Sequence, residues 1–397
     1  MKRAKIGLLT KVVIAIILGI SSSYFFPISV IKIFVTFNSI FGNFLGFVIP
    51  LIILGLVAPG IADLGKTAGK LLGITALIAY GSTVFAGVFS LFTTKWSLPF
   101  LIDRSENMIS FEELASKSIP HYFTVDMPPL MTVTSSLILA FILGLGLSAM
   151  KTNHMKNILF EFRDLVTSII TKVIIPLLPI YIFGIFLKIG AEGQAAMIMS
   201  LFFKVIIVIF IMHVLLLLIQ FSIAGVITRK NPFKALLNMM PAYMTALGTQ
   251  SSAATIPVTL AQAKKNGVDN DLADFVIPLC ATIHLSGSML KIVSCAFAIM
   301  WMMEMPYTAE MFTGFIFMLA ITMVAAPGVP GGAIMAAIGV LQSILLFNEQ
   351  AIGLMIALYI AMDSFGTACN VTGDGAIAMI MDKINKNINV RNPESSL

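Results

Sequence analysis

The chain has 397 residues, of which 58% are hydrophobic and 11% charged, with a formal net charge of +6 and a mean hydropathy of +0.98. A soluble protein of this size carries roughly 25% charged residues, so there is too little polar surface here to cover a water-soluble globule. An ordinary cytosolic enzyme, a disordered chain and a nucleic-acid binder are thereby excluded, and the positive charge suits a multi-pass membrane protein whose basic loops face the cytoplasm and anionic lipid. The three cysteines, Cys280, Cys295 and Cys369, sit in apolar stretches without ligand spacing, which argues against a disulfide framework or a zinc site.

A helix needs about 20 apolar residues to cross the hydrocarbon core. In chain order such stretches run from Lys11 to Phe26, Ile31 to Val57, Leu71 to Phe92, Thr134 to Met150, Leu165 to Leu187 and Ala196 to Ile227. Two more run from Phe275 to Met303 and from Ile352 to Met381. The first follows Lys2, Arg3 and Lys5 but precedes no convincing small-residue cleavage pattern, so it reads as a retained span. With the amino terminus inside, the inner loops hold Lys66, Lys70, Lys151, Lys156, Arg229, Lys230 and Lys234, and the tail adds Lys383, Lys386 and Arg391. The outer connections hold Asp103, Glu106, Glu112, Glu113 and Asp126, then Glu192, Glu304 and Glu310. This segregation follows the positive-inside rule and places both termini in the cytoplasm, with the protein in the cytoplasmic membrane.

Two stretches do not fit simple spans. Residues 232–268 centre on Thr249-Gln250-Ser251-Ser252-Ala253-Ala254-Thr255 and are flanked by lysines at both ends. Residues 311–349 are broken by Pro327-Gly328-Val329-Pro330-Gly331-Gly332 and begin and end on the outer side. Both read as re-entrant hairpins, one from each face, because exposed backbone at membrane depth survives only inside protein or beside a cavity. Paired interrupted segments of this kind point to a secondary transporter's binding site. The expected fold is all-α: eight transmembrane helices plus two oppositely oriented hairpins.

A formal phosphate-loop match spans Gly60 to Thr67, yet it follows a membrane helix and has no α/β sheet to house it, so Lys66 reads as a loop anchor. The eighth span is more informative. It holds Asp363, Gly366, Thr367, Asn370, Thr372, Gly373 and Asp374. A carboxylate at a helix centre in the membrane costs about 2.5–3.5 kcal/mol on insertion scales, which makes both aspartates functional candidates. Asp363, Thr367 and Asn370 share a helix face by their spacing of four and seven. Asn370, Thr372 and Gly373 are candidates to open carbonyls toward a cation.

Asn370-Val-Thr-Gly-Asp374, Ser251-Ser252-Ala-Ala-Thr-Ile-Pro-Val-Thr259 and Gly328-Val-Pro-Gly331 together resemble the dicarboxylate/amino acid:cation symporters, the glutamate-transporter-like group. The resemblance is specific in the carboxy-terminal half and extends through the pattern of spans and hairpins. It implies a homotrimer embedded in lipid, with a scaffold and a transport domain moving elevator-fashion. Residues 1–230 would be mainly scaffold, with the third span (about 68–93) joining the transport domain of residues 231–390. That domain would contain hairpin 1 (232–268), span 7 (270–303), hairpin 2 (311–349) and span 8 (351–382). The resemblance further implies that Ser251, Ser252 and the Val329–Gly331 backbone hold a substrate carboxylate. Asp363 would receive an α-ammonium group, with Thr367 and Asn370 also touching substrate. Asp374 would coordinate sodium with main-chain oxygens near Cys280 and Asn370.

Departures from the family pattern shape the expected activity. The arginine that binds an acidic side chain would lie at Gly366, so a neutral amino acid such as serine or threonine is expected. The seventh span reads His284-Leu285-Ser286-Gly287-Ser288, where Ser286 and His284 replace the aspartate and asparagine of a third sodium site. Ser82 and Thr83, the matching hydroxyls, would then have no cation to bind. Lys291 either snorkels toward water or supplies a positive charge where sodium is absent, and His284 is either a core histidine or carries a coupling proton. The sequence therefore implies a sodium-coupled symporter with no cofactor, no enzymatic activity and no nucleic-acid partner. Transport of a dicarboxylate or acidic amino acid, and proton coupling, remain the open alternatives; a passive channel and an ATP-driven pump have less support.

Overall fold

A computed structural model describes residues 7–66, 70–101, 119–150, 154–324, 326 and 330–391, and every regular element among them is a helix. The chain opens with α1 (Leu8–Ser23), α2 (Ile28–Lys66), α3 (Lys70–Leu101) and α4 (Val133–Ala149). Next, α5 (His154–Ile169) passes through a π-helical turn at Ile170–Ile174 into α6 (Ile175–Ala191), and α7 (Ala195–Thr228) follows. The remaining helices are α8 (Pro232–Thr249), α9 (Ser252–Lys265), α10 (Asn270–Ile283), α11 (Ser286–Met302), α12 (Ala309–Val324), α13 (Gly332–Ile344), α14 (Glu349–Ala361) and α15 (Asp363–Arg391). Helix is the form that satisfies every backbone donor within one apolar segment.

Among the described residues, five stretches are long and apolar enough to cross a membrane: Ile28–Ala62, Leu71–Phe100, His154–Ala191, Ala195–Thr228 and Asn270–Met302. Helices α14 and α15, which meet at a 61° bend, pass the same test when taken together. The expected first and fourth spans are helices of 16 and 17 residues, short of the usual 20. Leu77, Phe92, Trp96, Phe100, Phe203 and Val226 are largely exposed, an outward apolar surface that suits lipid. The acidic loop residues Asp103, Glu106, Glu112 and Glu113, and likewise Lys151, lie outside the described residues. Gly60 to Lys66 form the helical end of α2, not a loop.

The first interrupted stretch is a helix–turn–helix unit, and the second has a helix on either side of its break. The first turns at Gln250, which adopts a left-handed φ of 54°, and Ser251 then caps α9 by accepting from the Ala254 N–H at 3.3 Å. Helices α8 and α9 pack against each other and against α15. In the second unit α12 packs on α13, and Gly331 begins α13 with a φ of 77° that favours glycine.

One reading of the sequence is corrected here. The eighth span does not open at Asn370–Gly373; α15 is continuous there and the chain bends one residue before Asp363, at Met362. Gly373 serves close approach instead, since a Cβ on it would come within 2.7 Å of Gln220 Oε1 and 2.9 Å of His284 Cε1. The unwound segment lies in the seventh stretch, where His284 and Leu285 leave the helix between α10 and α11. Helix α7 packs chiefly on α15, α8 and α11 and only lightly on α6.

Candidate functional site

Helix α15 carries Asp363 and Asp374 three turns apart, and each carboxylate meets a basic side chain from the broken α10–α11 stretch. All four charged or chargeable groups are buried. Charges removed from water persist only when paired and hydrogen-bonded, so these contacts organise the interior.

At the first contact, Lys291 Nζ lies 3.3 Å from Asp363 Oδ1 and 3.4 Å from the Met362 carbonyl oxygen. The ammonium also stands 3.4 Å from the centroid of the Tyr359 ring, a cation–π contact. The second oxygen, Asp363 Oδ2, accepts the Gly331 N–H at 2.8 Å, which ties the amino-terminal end of α13 to the carboxylate. Gly366 makes room for the lysine, because a Cβ there would lie 2.9 Å from Lys291 Nζ. Lys291 therefore does not snorkel; its side chain is fully enclosed. Thr367 Oγ1 donates to the Asp363 carbonyl at 2.9 Å within its own helix.

At the second contact, His284 Nδ1 lies 2.8 Å from Asp374 Oδ1 and His284 Nε2 lies 3.1 Å from Ser82 Oγ. Gln220 Nε2 donates to both Ser82 Oγ at 3.0 Å and Ser286 Oγ at 3.1 Å. Asp374 Oδ2 and Gln220 Oε1 are buried acceptors with no hydrogen-bond donor among the described residues. Oxygens left in that condition suit a hard cation, which takes carboxylate, amide and carbonyl ligands. Thr83 Oγ1 is turned to the Ala79 carbonyl at 2.9 Å.

Asn370 lies between the two contacts and holds the broken stretch in place. Its Oδ1 accepts the Gly287 and Ser288 N–H groups at 2.8 and 3.2 Å, and its Nδ2 donates to Ser288 Oγ at 3.0 Å. These are orphan donors at the start of α11, so the side chain works as a cap supplied from a neighbouring helix. The Cys280 carbonyl accepts the His284 N–H at 2.8 Å. Ser251 and Ser252 are half-buried at the tip of the first hairpin. Val329, expected beside Gly331, lies outside the described residues.

Three participants went unnoticed in the sequence. Gln220 bridges Ser82 and Ser286, Tyr359 carries the lysine, and His213 Nε2 lies 3.0 Å from the Gly287 carbonyl oxygen. Gln220 and His213 are polar residues seven apart on one face of an otherwise apolar helix, a signal legible in the chain.

Comparison with known proteins gives the family. The family model for the sodium:dicarboxylate symporter family matches residues 8–384. The serine/threonine transporter SstT of Acinetobacter baumannii (strain AYE) is 26% identical over 401 residues, covering 96% of this chain and 97% of that protein. The SstT protein of Acinetobacter baylyi is also 26% identical, over 400 residues, covering 96% of this chain and 98% of its own length. Excitatory amino acid transporter 2 of Mus musculus is 28% identical over 259 residues, 63% of this chain and 44% of that protein. With the family model matched over nearly its whole length, the chain belongs to the sodium:dicarboxylate symporter family.

Proposed function

We propose that this membrane protein is a sodium-coupled symporter of a neutral amino acid such as serine or threonine. The observation that carries the reading is Asp363, a buried carboxylate gripped by the hairpin-2 backbone at Gly331 beside a position, Gly366, that offers no arginine. An α-ammonium group binds at Asp363, and the substrate carboxylate lies against the hairpin tips near Ser251, Ser252 and Val329–Gly331. Sodium binds at Asp374, whose Oδ2 is open to a further ligand, with main-chain oxygens near Cys280 and Asn370. Alignment with serine/threonine transporters over almost the full chain supports the choice of substrate.

In the same reading the chain has eight spans and two re-entrant hairpins, cytoplasmic termini and a homotrimeric assembly. The moving body comprises α3 and α7 to α15, against a scaffold of α1, α2 and α4 to α6, and it travels elevator-fashion. No cofactor takes part and no covalent chemistry occurs.

A second reading, transport of an acidic amino acid or dicarboxylate, is favoured by one observation: the Lys291 ammonium stands 2.9 Å from where a Gly366 side chain would begin. Competition decides between them. Labelled serine uptake into proteoliposomes is challenged with unlabelled serine, threonine, aspartate, glutamate and succinate. The first reading expects serine and threonine to compete and the acids to fail; competition by glutamate or succinate alone establishes the second. His284 on Asp374 raises proton coupling as the alternative driver, tested by a proton gradient in sodium-free buffer.

A further inference from the structure

We propose that Lys291 is a built-in counter-cation for Asp363, which lets the transporter reorient without substrate and so carry out net transport instead of obligatory exchange. The proposal rests on the symport reading above and assigns a step of that cycle to a named side chain.

Net transport requires the binding site to cross the membrane interior twice, once with substrate and once without. On the return, a bare Asp363 would travel as an uncompensated buried charge, a state strongly disfavoured in low dielectric. Lys291 removes that obstacle. Its ammonium is 3.3 Å from Asp363 Oδ1, and no other acid of the described residues forms an ion pair with it. The Gly331 N–H meets Oδ2 at 2.8 Å, so the amino-terminal end of α13 seats on a carboxylate that the chain itself has neutralised.

The surroundings let the lysine yield as well as bind. A substrate ammonium arriving at Asp363 competes for Oδ1, and two cations on one oxygen repel. Lys291 has two further partners already within reach, the Met362 carbonyl at 3.4 Å and the Tyr359 ring at 3.4 Å. Its flexible four-carbon stem can move onto them while remaining partnered. Gly366 completes the device, because a Cβ there would lie 2.9 Å from Nζ and 3.2 Å from Cε and press the ammonium off its partner.

The test separates net flux from exchange in proteoliposomes with labelled serine. Lys291→Met is expected to lower uptake into serine-free vesicles at least tenfold more than it lowers exchange into serine-loaded vesicles. Serine affinity should hold or rise, since a competing cation has gone. Gly366→Ala should show the same imbalance in weaker form, and it carries the test if the Lys291 variant does not fold. An unchanged ratio of net uptake to exchange in Gly366→Ala, or equal loss of both fluxes and of serine binding in a folded Lys291→Met, overturns the proposal. Wild-type vesicles showing neither flux overturn the symport reading itself, and this role with it.

Discussion

Asp363 and Lys291 are each buried at a cost that their pairing offsets, so removing one alone should be worse than removing both. Asp363→Ala leaves Lys291 enclosed without its acid, a loss of about 3–5 kcal/mol for a buried pair broken on one side. Thermal unfolding in detergent should show that loss, along with abolished serine binding. The double variant Asp363→Asn with Lys291→Met should recover much of the stability and none of the binding. Recovery of binding would mean that Asp363 does not hold the substrate. The charged members of the site were legible because an aspartate, lysine or histidine in an apolar run is conspicuous by its cost. Their partners were not: Lys291 and Asp363 are 72 positions apart and His284 and Asp374 are 90 apart, and nothing local specifies either contact. Gln220 escaped notice because a neutral amide costs less in an apolar helix than a charge does.

At the scale of elements, the break between α10 and α11 is held by the amide of Asn370. Asn370→Ala strands two buried N–H groups, with an expected cost of about 1–3 kcal/mol each at most and a lowered unfolding temperature. An unaltered melting curve would show that the cap contributes nothing. Close packing between α2 and α4 offers a second check. A Cβ on Gly144 would lie 2.6 Å from Ile61 Cβ and 3.0 Å from the Ala58 carbonyl oxygen, so Gly144→Leu should destabilise by about 1–3 kcal/mol through overpacking. Wild-type stability in that variant would indicate that the two helices separate freely. Helix positions were readable from runs of apolar residues, but the place where a span unwinds was not. Asn370, Thr372 and Gly373 look like a helix breaker in isolation. In the folded chain Gly373 is used to bring α15 close to Gln220 and His284, and the interruption falls at His284 and Leu285 instead.

For the whole molecule, the charge imbalance and apolar surface describe a membrane protein, and the family match supplies sodium as the natural driving ion. His284 on Asp374 and the hydroxyl of Ser286 leave fewer places for cations than a site built wholly of carboxylates would offer. Few sodium ions per substrate are therefore expected, each worth about 2.3 kcal/mol per 100 mV when it moves inward with the membrane potential. A tenfold sodium gradient adds about 1.4 kcal/mol per ion. The most direct measurement is labelled serine accumulation in proteoliposomes under an imposed inward sodium gradient, compared between wild type and Asp374→Asn. The account predicts accumulation above the external concentration in wild type, its collapse when the sodium gradient is dissipated, and no accumulation in Asp374→Asn. Accumulation driven by a proton gradient alone in sodium-free buffer, or undiminished accumulation in Asp374→Asn, would contradict it.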